Sequence, residues 1–169
     1  PIRYIGIGET AADFDVFVSG KLSSWGAIDW SAYGPGKFPF TFRQHPGPKN
    51  ALGRVKFMLP NKHNIYLHDT PSKDKFLQTT RAFSHGCIRL SRPIDVAYAI
   101  VGGSVGWSKA KIDGTIAGGK TTRVALPYKL PVHLIYATAF NGANGIEFRP
   151  DVYGRDRRLN AALFGKPSS

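Results

Sequence analysis

The sequence predicts a mainly β domain with a few helices packed on it. Three observations lead there. Short runs alternate apolar and polar residues with the period of two that strands require. Gly- and Pro-rich punctuation separates these runs. Helical signals are few and fall between residues 73 and 116.

The elements follow in chain order. Residues 1–50 are rich in Gly, Pro and aromatics and weak in periodicity. Ile28 to Tyr33 leads into Gly34-Pro35-Gly36, a turn. Residues 37–43 alternate around Phe38, Phe40 and Phe42 as a strand would, and Pro46-Gly47-Pro48 then breaks the chain. This stretch is expected to be loops with short elements, able to form a flap or lid. Residues 55–59 and 65–68 read as a hairpin, joined by the turn-rich 60–64, with His68 at the strand end. Ser72 is placed to cap a short helix over 73–78. Pro93 opens a helix through Val101, and a second helix is expected over 108–116. Residues 121–126 and 131–140 read as strands. The second is apolar on both faces, which predicts a central strand. Residues 141–145 form a turn and 146–148 a return strand. No internal repeat or low-complexity tract is present.

Length and composition bound the rest. The 169 residues fit one domain, or one domain with a small appendage, and can bury a core without disulfides or metal. With 42% hydrophobic and 20% charged residues, the chain is neither disordered nor collagen-like. No apolar run approaches the roughly 20 residues of a membrane span. The chain begins at Pro1 without Met or a signal peptide, the expected appearance of a processed, trimmed or partial chain. The net charge of +12 attracts polyanions: nucleic acid, anionic lipid or an acidic cell-wall polymer. The basic residues are dispersed, densest at Arg155, Arg157 and Arg158, without the long run of a nucleic-acid arm.

Cys87 is the single cysteine, so neither an internal disulfide nor a multi-Cys zinc site is possible. Alone it would read as a small buried hydrophobe. Its neighbourhood adds a second reading. His85 lies two positions before it, on the same face in extended backbone, with Gly86 between them allowing close approach. His68 lies 19 positions upstream, at a predicted strand end. A lone Cys with His candidates suits nucleophilic catalysis, which needs a thiolate, an imidazole to move its proton, and N–H groups to hold an oxyanion. Each His could instead cap or pack a strand. His68, His85 and Cys87 could also bind zinc, although the Asp and Glu that would complete such a site are sparse nearby.

Two segments, Tyr66-Leu67-His68-Asp69-Thr70-Pro71 and Arg81-Ala82-Phe83-Ser84-His85-Gly86-Cys87-Ile88-Arg89, resemble the signature of the L,D-transpeptidases, the YkuD-type catalytic domains of bacterial cell-wall enzymes. The family pattern is a His, about fifteen residues, then Ser/Thr-His-Gly-Cys, a hydrophobic residue and Asn or Arg. Fifteen residues separate His68 from Ser84. Residues 46–53, Lys56-Phe57, 131–136 and Asp151-Val152-Tyr153 are similar to the larger periplasmic Gram-negative branch, so the resemblance covers roughly 38–155.

The resemblance implies a β-sandwich-like fold and roles residue by residue. Cys87 matches the nucleophile and His68 its base, oriented by the backbone carbonyl of Asp69. His85, Gly86 and Cys87 match the oxyanion segment, with His85 also beside the thiol. Arg89, Ser84 and Tyr66 match positions that hold the stem peptide, although Arg89 would serve equally well in a structural ion pair. Residues 1–45 sit where that branch carries a cap, and 46–169 correspond to the catalytic core. The family domain normally begins with strands that this chain lacks, expected in another chain or segment. The implied activity is 3→3 cross-linking of peptidoglycan stems in the periplasm or cell envelope, with carbapenems as inhibitors and no metal or cofactor. An L,D-carboxypeptidase acting on the same stem, and a non-catalytic wall-binding module, fit the same composition.

Overall fold

A computed structural model describes residues 13–165 except positions 35, 37, 84, 85 and 127. The chain divides into two units, Pro1–Pro127 and Tyr128–Ser169. Eight strands and three α-helices form among the described residues, so the domain is mainly β, in keeping with the β-sandwich-like fold the resemblance implies.

The first unit opens with an antiparallel sheet of β1 (Phe14–Val18), β2 (Lys21–Ser23) and β3 (Phe40–Gln44), in the order β2-β1-β3. Ser19 and Gly20 link β1 to β2 with φ of 48° and 79°, the positive pair that a tight two-residue hairpin turn demands. Phe42 faces Val16 and Phe40 faces Val18. Trp25, Trp30 and Phe38 pack over these phenylalanines, with Trp30 and Phe40 centroids 4.9 Å apart. Val16 is fully buried beneath them. The Trp25 indole donates to the Phe14 carbonyl at 2.8 Å, satisfying the polar edge of a half-buried ring. The strand expected over 37–43 thus forms slightly later. The first two strands were not expected, because the alternation of 14–18 is shortened by Phe17 on the polar face.

A second sheet carries β4 (Lys56–Met58), β5 (Tyr66–His68) and β6 (Ile88–Arg89), in the order β4-β5-β6. The expected hairpin is β4 and β5, paired antiparallel; β6 then joins β5 in parallel. Asn61 builds the link between β4 and β5. Its amide donates to the Leu59 and Ile65 carbonyls, and its Oδ1 accepts from the His63 and Ile65 N–H groups. Asn64 supplies the left-handed residue, φ 54°, that closes this turn.

In the crossover from β5 to β6 the short helix expected over 73–78 forms as a 3-10 helix at Lys73–Leu77. Ser72 makes no side-chain cap; its N–H is taken by the Thr70 hydroxyl. Helices α1 (Pro93–Val101) and α2 (Lys109–Ala117) form where Pro93 and Ser108 predicted them. Ser108 caps α2 by accepting from the Lys111 N–H. Ala97 and Ile112 are the buried apolar residues of the pair, and Tyr98 donates to Asp113 across it.

The second unit holds the hairpin β7 (Ala139–Gly142) and β8 (Gly145–Phe148), followed by α3 (Arg155–Phe164). The expected strands at 121–126 and 131–140 do not form; only Ala139 and Phe140 of the latter enter a ladder. Two apolar faces make a central strand only where a neighbour supplies backbone partners, and none of the described residues pairs with 131–137. Ile135 is accordingly 88% exposed. Helix α3 was not expected. Asp151 nucleates it, accepting from the Arg155 and Asp156 N–H groups at 2.9 and 2.8 Å and from the Tyr136 hydroxyl.

Candidate active site

Strand periodicity gathers the site. Tyr66 and His68 are two apart on β5 and share a face. Leu67 pairs with Ile88 and His68 with Arg89. Cys87, one residue before β6 and two before Arg89, therefore lies on the Tyr66 and His68 side. The contacts agree: the Tyr66 hydroxyl hydrogen-bonds with Cys87, which, together with burial, holds the phenol above its ordinary pKa. The Tyr66 and His68 rings meet edge to face, 5.7 Å apart. The Cys87 thiol also points to the Asn64 carbonyl, 4.0 Å away at the end of the Asn61-built turn.

His68 is buried, at 4% exposure. Its Nδ1 lies in a short hydrogen bond to the Asp69 carbonyl. A carbonyl only accepts, so Nδ1 carries the proton and Nε2 of the neutral ring is left as the acceptor. Burial lowers the imidazole pKa, and the Arg89 and Lys56 charges lower it further, against the opposing pull of the Asp69 carbonyl. The ring is thus held neutral near pH 7, the state a general base requires.

The Asp69 side chain has its own task. It is 3% exposed. Its Oδ1 accepts from Lys73 Nζ at 2.7 Å and its Oδ2 from the Arg54 N–H at 2.9 Å. Burial alone would raise this carboxyl, but Lys73 and the Arg54 and Thr70 N–H groups hold it below the usual carboxylate range. Lys73 reaches further, donating to the Leu90 and Ser91 carbonyls at 3.1 Å each. One ammonium thereby ties the end of β5 to the end of β6. Gly53 admits the carboxylate: its φ is +62°, and a Cβ there would stand 2.4 Å from the Asp69 side chain.

The structure therefore brings together Tyr66, His68, Asp69, Cys87 and Arg89. Ser84 and His85 lie outside the described residues. At Gly86 a Cβ would come within 3.3 Å of Ile65, so the backbone before Cys87 sits close against β5. Arg89 is half-buried and makes no ion pair with any described residue. Arg54, Lys73 and Asn64 also belong to this neighbourhood and were not singled out from sequence; Lys56, which belongs to it too, entered there only as part of the resemblance. Lys56 comes beside His68 only through strand register, and Lys73, four residues after Asp69, had no motif beyond its charge to mark it. Among the described residues no three His, Cys, Asp or Glu side chains cluster as metal ligands. No helix among them is long and apolar enough to cross a membrane.

The family model YkuD, the L,D-transpeptidase catalytic domain, matches residues 15–112, which take in the whole site and all of the β1–β3 sheet but Phe14. A protein of Haemophilus influenzae named "Putative L,D-transpeptidase" is 37% identical over 143 residues. That match takes in 85% of this chain and 29% of the relative, so the chain spans less than a third of that protein's length. A chain that places His68 and Cys87 on one sheet face, and matches the family over more than half its length, belongs to the L,D-transpeptidase family and carries its YkuD catalytic domain.

Proposed function

We propose that the chain is a cysteine acyltransferase that joins peptidoglycan stems in the cell envelope. The observation that carries this reading is the buried, neutral His68, its Nδ1 fixed on the Asp69 carbonyl and its ring on the same sheet face as the Cys87 thiol.

The Cys87 sulfur attacks the carbonyl carbon between the diamino acid and the terminal D-Ala of a tetrapeptide stem. An S–C bond forms as the thiol proton passes to His68 Nε2. The N–H groups of residues 85–87 hold the resulting oxyanion. The tetrahedral intermediate collapses, the C–N bond breaks, and His68 returns the proton to the leaving amine of D-Ala. A thioester remains on Cys87. An amine of a second stem then attacks it, His68 takes that amine's proton, and the C–S bond breaks to release a 3→3 cross-link and the free thiol. Ser84, Tyr66 and Arg89 hold the stem in this scheme. Water in place of the amine would give an L,D-carboxypeptidase, so the acceptor is what the products decide.

Mass spectrometry of muropeptides incubated with the chain tests the reading. Cross-linked dimers with loss of D-Ala are expected, and none with Cys87→Ala. Tripeptides without dimers would assign the carboxypeptidase reaction instead. No consumption of tetrapeptide by the folded chain would reject both and leave a wall-binding module.

A further inference from the structure

The register of the second sheet sets three charged or titratable side chains in a row. Lys56 pairs with His68, and His68 with Arg89, so one lysine and one arginine flank the imidazole on the face that also carries Tyr66. Lys56 is exposed and Arg89 half-buried. The Lys56 ammonium lies 3.6 Å from the Tyr66 ring centroid, and the hydroxyl of that ring meets Cys87.

A minority of the described Lys and Arg side chains sit on carboxylates. Arg43, Arg54, Lys73, Arg92 and Arg149 each do. Neither Lys56 nor Arg89 has one among the described residues. An aromatic face holds an ammonium in place without neutralising its charge, whereas a carboxylate would cancel it. Two uncompensated cations on either side of a ring that must stay neutral form a seat for an anion, and binding one relieves their mutual repulsion.

We propose that Lys56 and Arg89 together form a two-cation clamp that binds a free carboxylate of the peptide stem beside His68. This rests on the stem-acylating function above and adds Lys56 as a residue that selects for the substrate's charge. Two stem carboxylates lie near the scissile bond, the C-terminus of the leaving D-Ala and the free carboxyl of the diamino acid. The clamp chemistry is the same for either.

The test separates the sources and does not require turnover. The Cys87→Ala chain, and the same chain with Lys56→Met or Lys56→Arg, would be titrated calorimetrically with four synthetic tetrapeptide stems: the free acid, the C-terminal amide, the diamino-acid amide and the double amide. The free acid should bind about tenfold more weakly after Lys56→Met, with Lys56→Arg retaining most of the affinity. The stem amidated at the recognised carboxylate should bind both proteins equally, which names that carboxylate. An equal loss for all four stems would mean that Lys56 acts through Tyr66 and packing, and would overturn the clamp. So would unchanged affinity of the free acid, or no binding of it. Failure of the acylation function shows separately, as absence of a Cys87 adduct in the unsubstituted chain.

Discussion

At the residue scale, His68 and Asp69 divide one task between backbone and side chain. The Asp69 carbonyl orients the imidazole, and the Asp69 carboxylate anchors Lys73 and the Arg54 N–H. Asp69→Ala keeps the carbonyl but leaves the part-buried Arg54 N–H without its acceptor and removes one of the three acceptors of the Lys73 ammonium, a loss of about 1–3 kcal/mol of stability. Asp69→Asn keeps an acceptor and is expected to be milder. Urea denaturation of both variants, with single-turnover acylation where each is folded, checks this; acylation should fall far less than with His68→Ala, which removes a base worth on the order of 10²–10⁴ in rate. Titration follows from the same geometry. The folded pKa of His68 lies below its unfolded value, so the unfolded chain binds more protons between the two. Its contribution to stability is therefore full above the ordinary imidazole value of about 6.5 and is lost as pH falls through the lowered one. Urea midpoints measured downward from pH 7 should decline in that window, and His68→Gln should flatten the decline. The pairing of His68 with Cys87 was legible in sequence only through the family resemblance, since the residues alone offered His85 as well. The tie from Lys73 was not, since its partners Leu90 and Ser91 lie 17 and 18 residues away across a parallel ladder.

At the scale of elements, the site depends on the junction where β5 and β6 end together. The Leu90 N–H donates to the His68 carbonyl and the Asp69 N–H to the Val55 carbonyl, so three strands close on two consecutive residues. Gly53 is the hinge of that closure. Gly53→Ala adds a left-handed strain and a methyl that would stand 2.4 Å from the Asp69 side chain. It should destabilise the chain by about 1–3 kcal/mol, and amide exchange should rise first at Arg54 and Asp69. Equal protection of these amides in both proteins would contradict the role given to Gly53. Alternation, the turn link and the helix-opening residues predicted β4, β5, α1 and α2 close to their observed bounds. The same reasoning failed at 131–140, because apolar side chains on both faces say nothing about whether a neighbouring strand exists.

For the whole molecule, the surplus of 12 positive charges attracts anionic polymers over a salt-dependent range. Sedimentation with anionic peptidoglycan sacculi should show binding that weakens strongly between about 50 and 500 mM salt, as the screening length contracts. Retention of Cys87→Ala should match the unsubstituted chain. Composition made this charge legible, but not its use. The resemblance marked Arg89 from sequence, but that Lys56 stands with it beside His68 emerges only from strand register.

The central claim is that Cys87 is the acylated nucleophile. Intact-mass analysis of the folded chain, after brief incubation with a tetrapeptide stem and separately with a carbapenem, tests it most directly. One adduct per chain is expected: the stem less its terminal D-Ala in the first case, the whole drug in the second. Peptide mapping should place both on Cys87, and Cys87→Ala should show neither. Release of D-Ala by Cys87→Ala, or a folded chain that takes up neither acyl group, would contradict it.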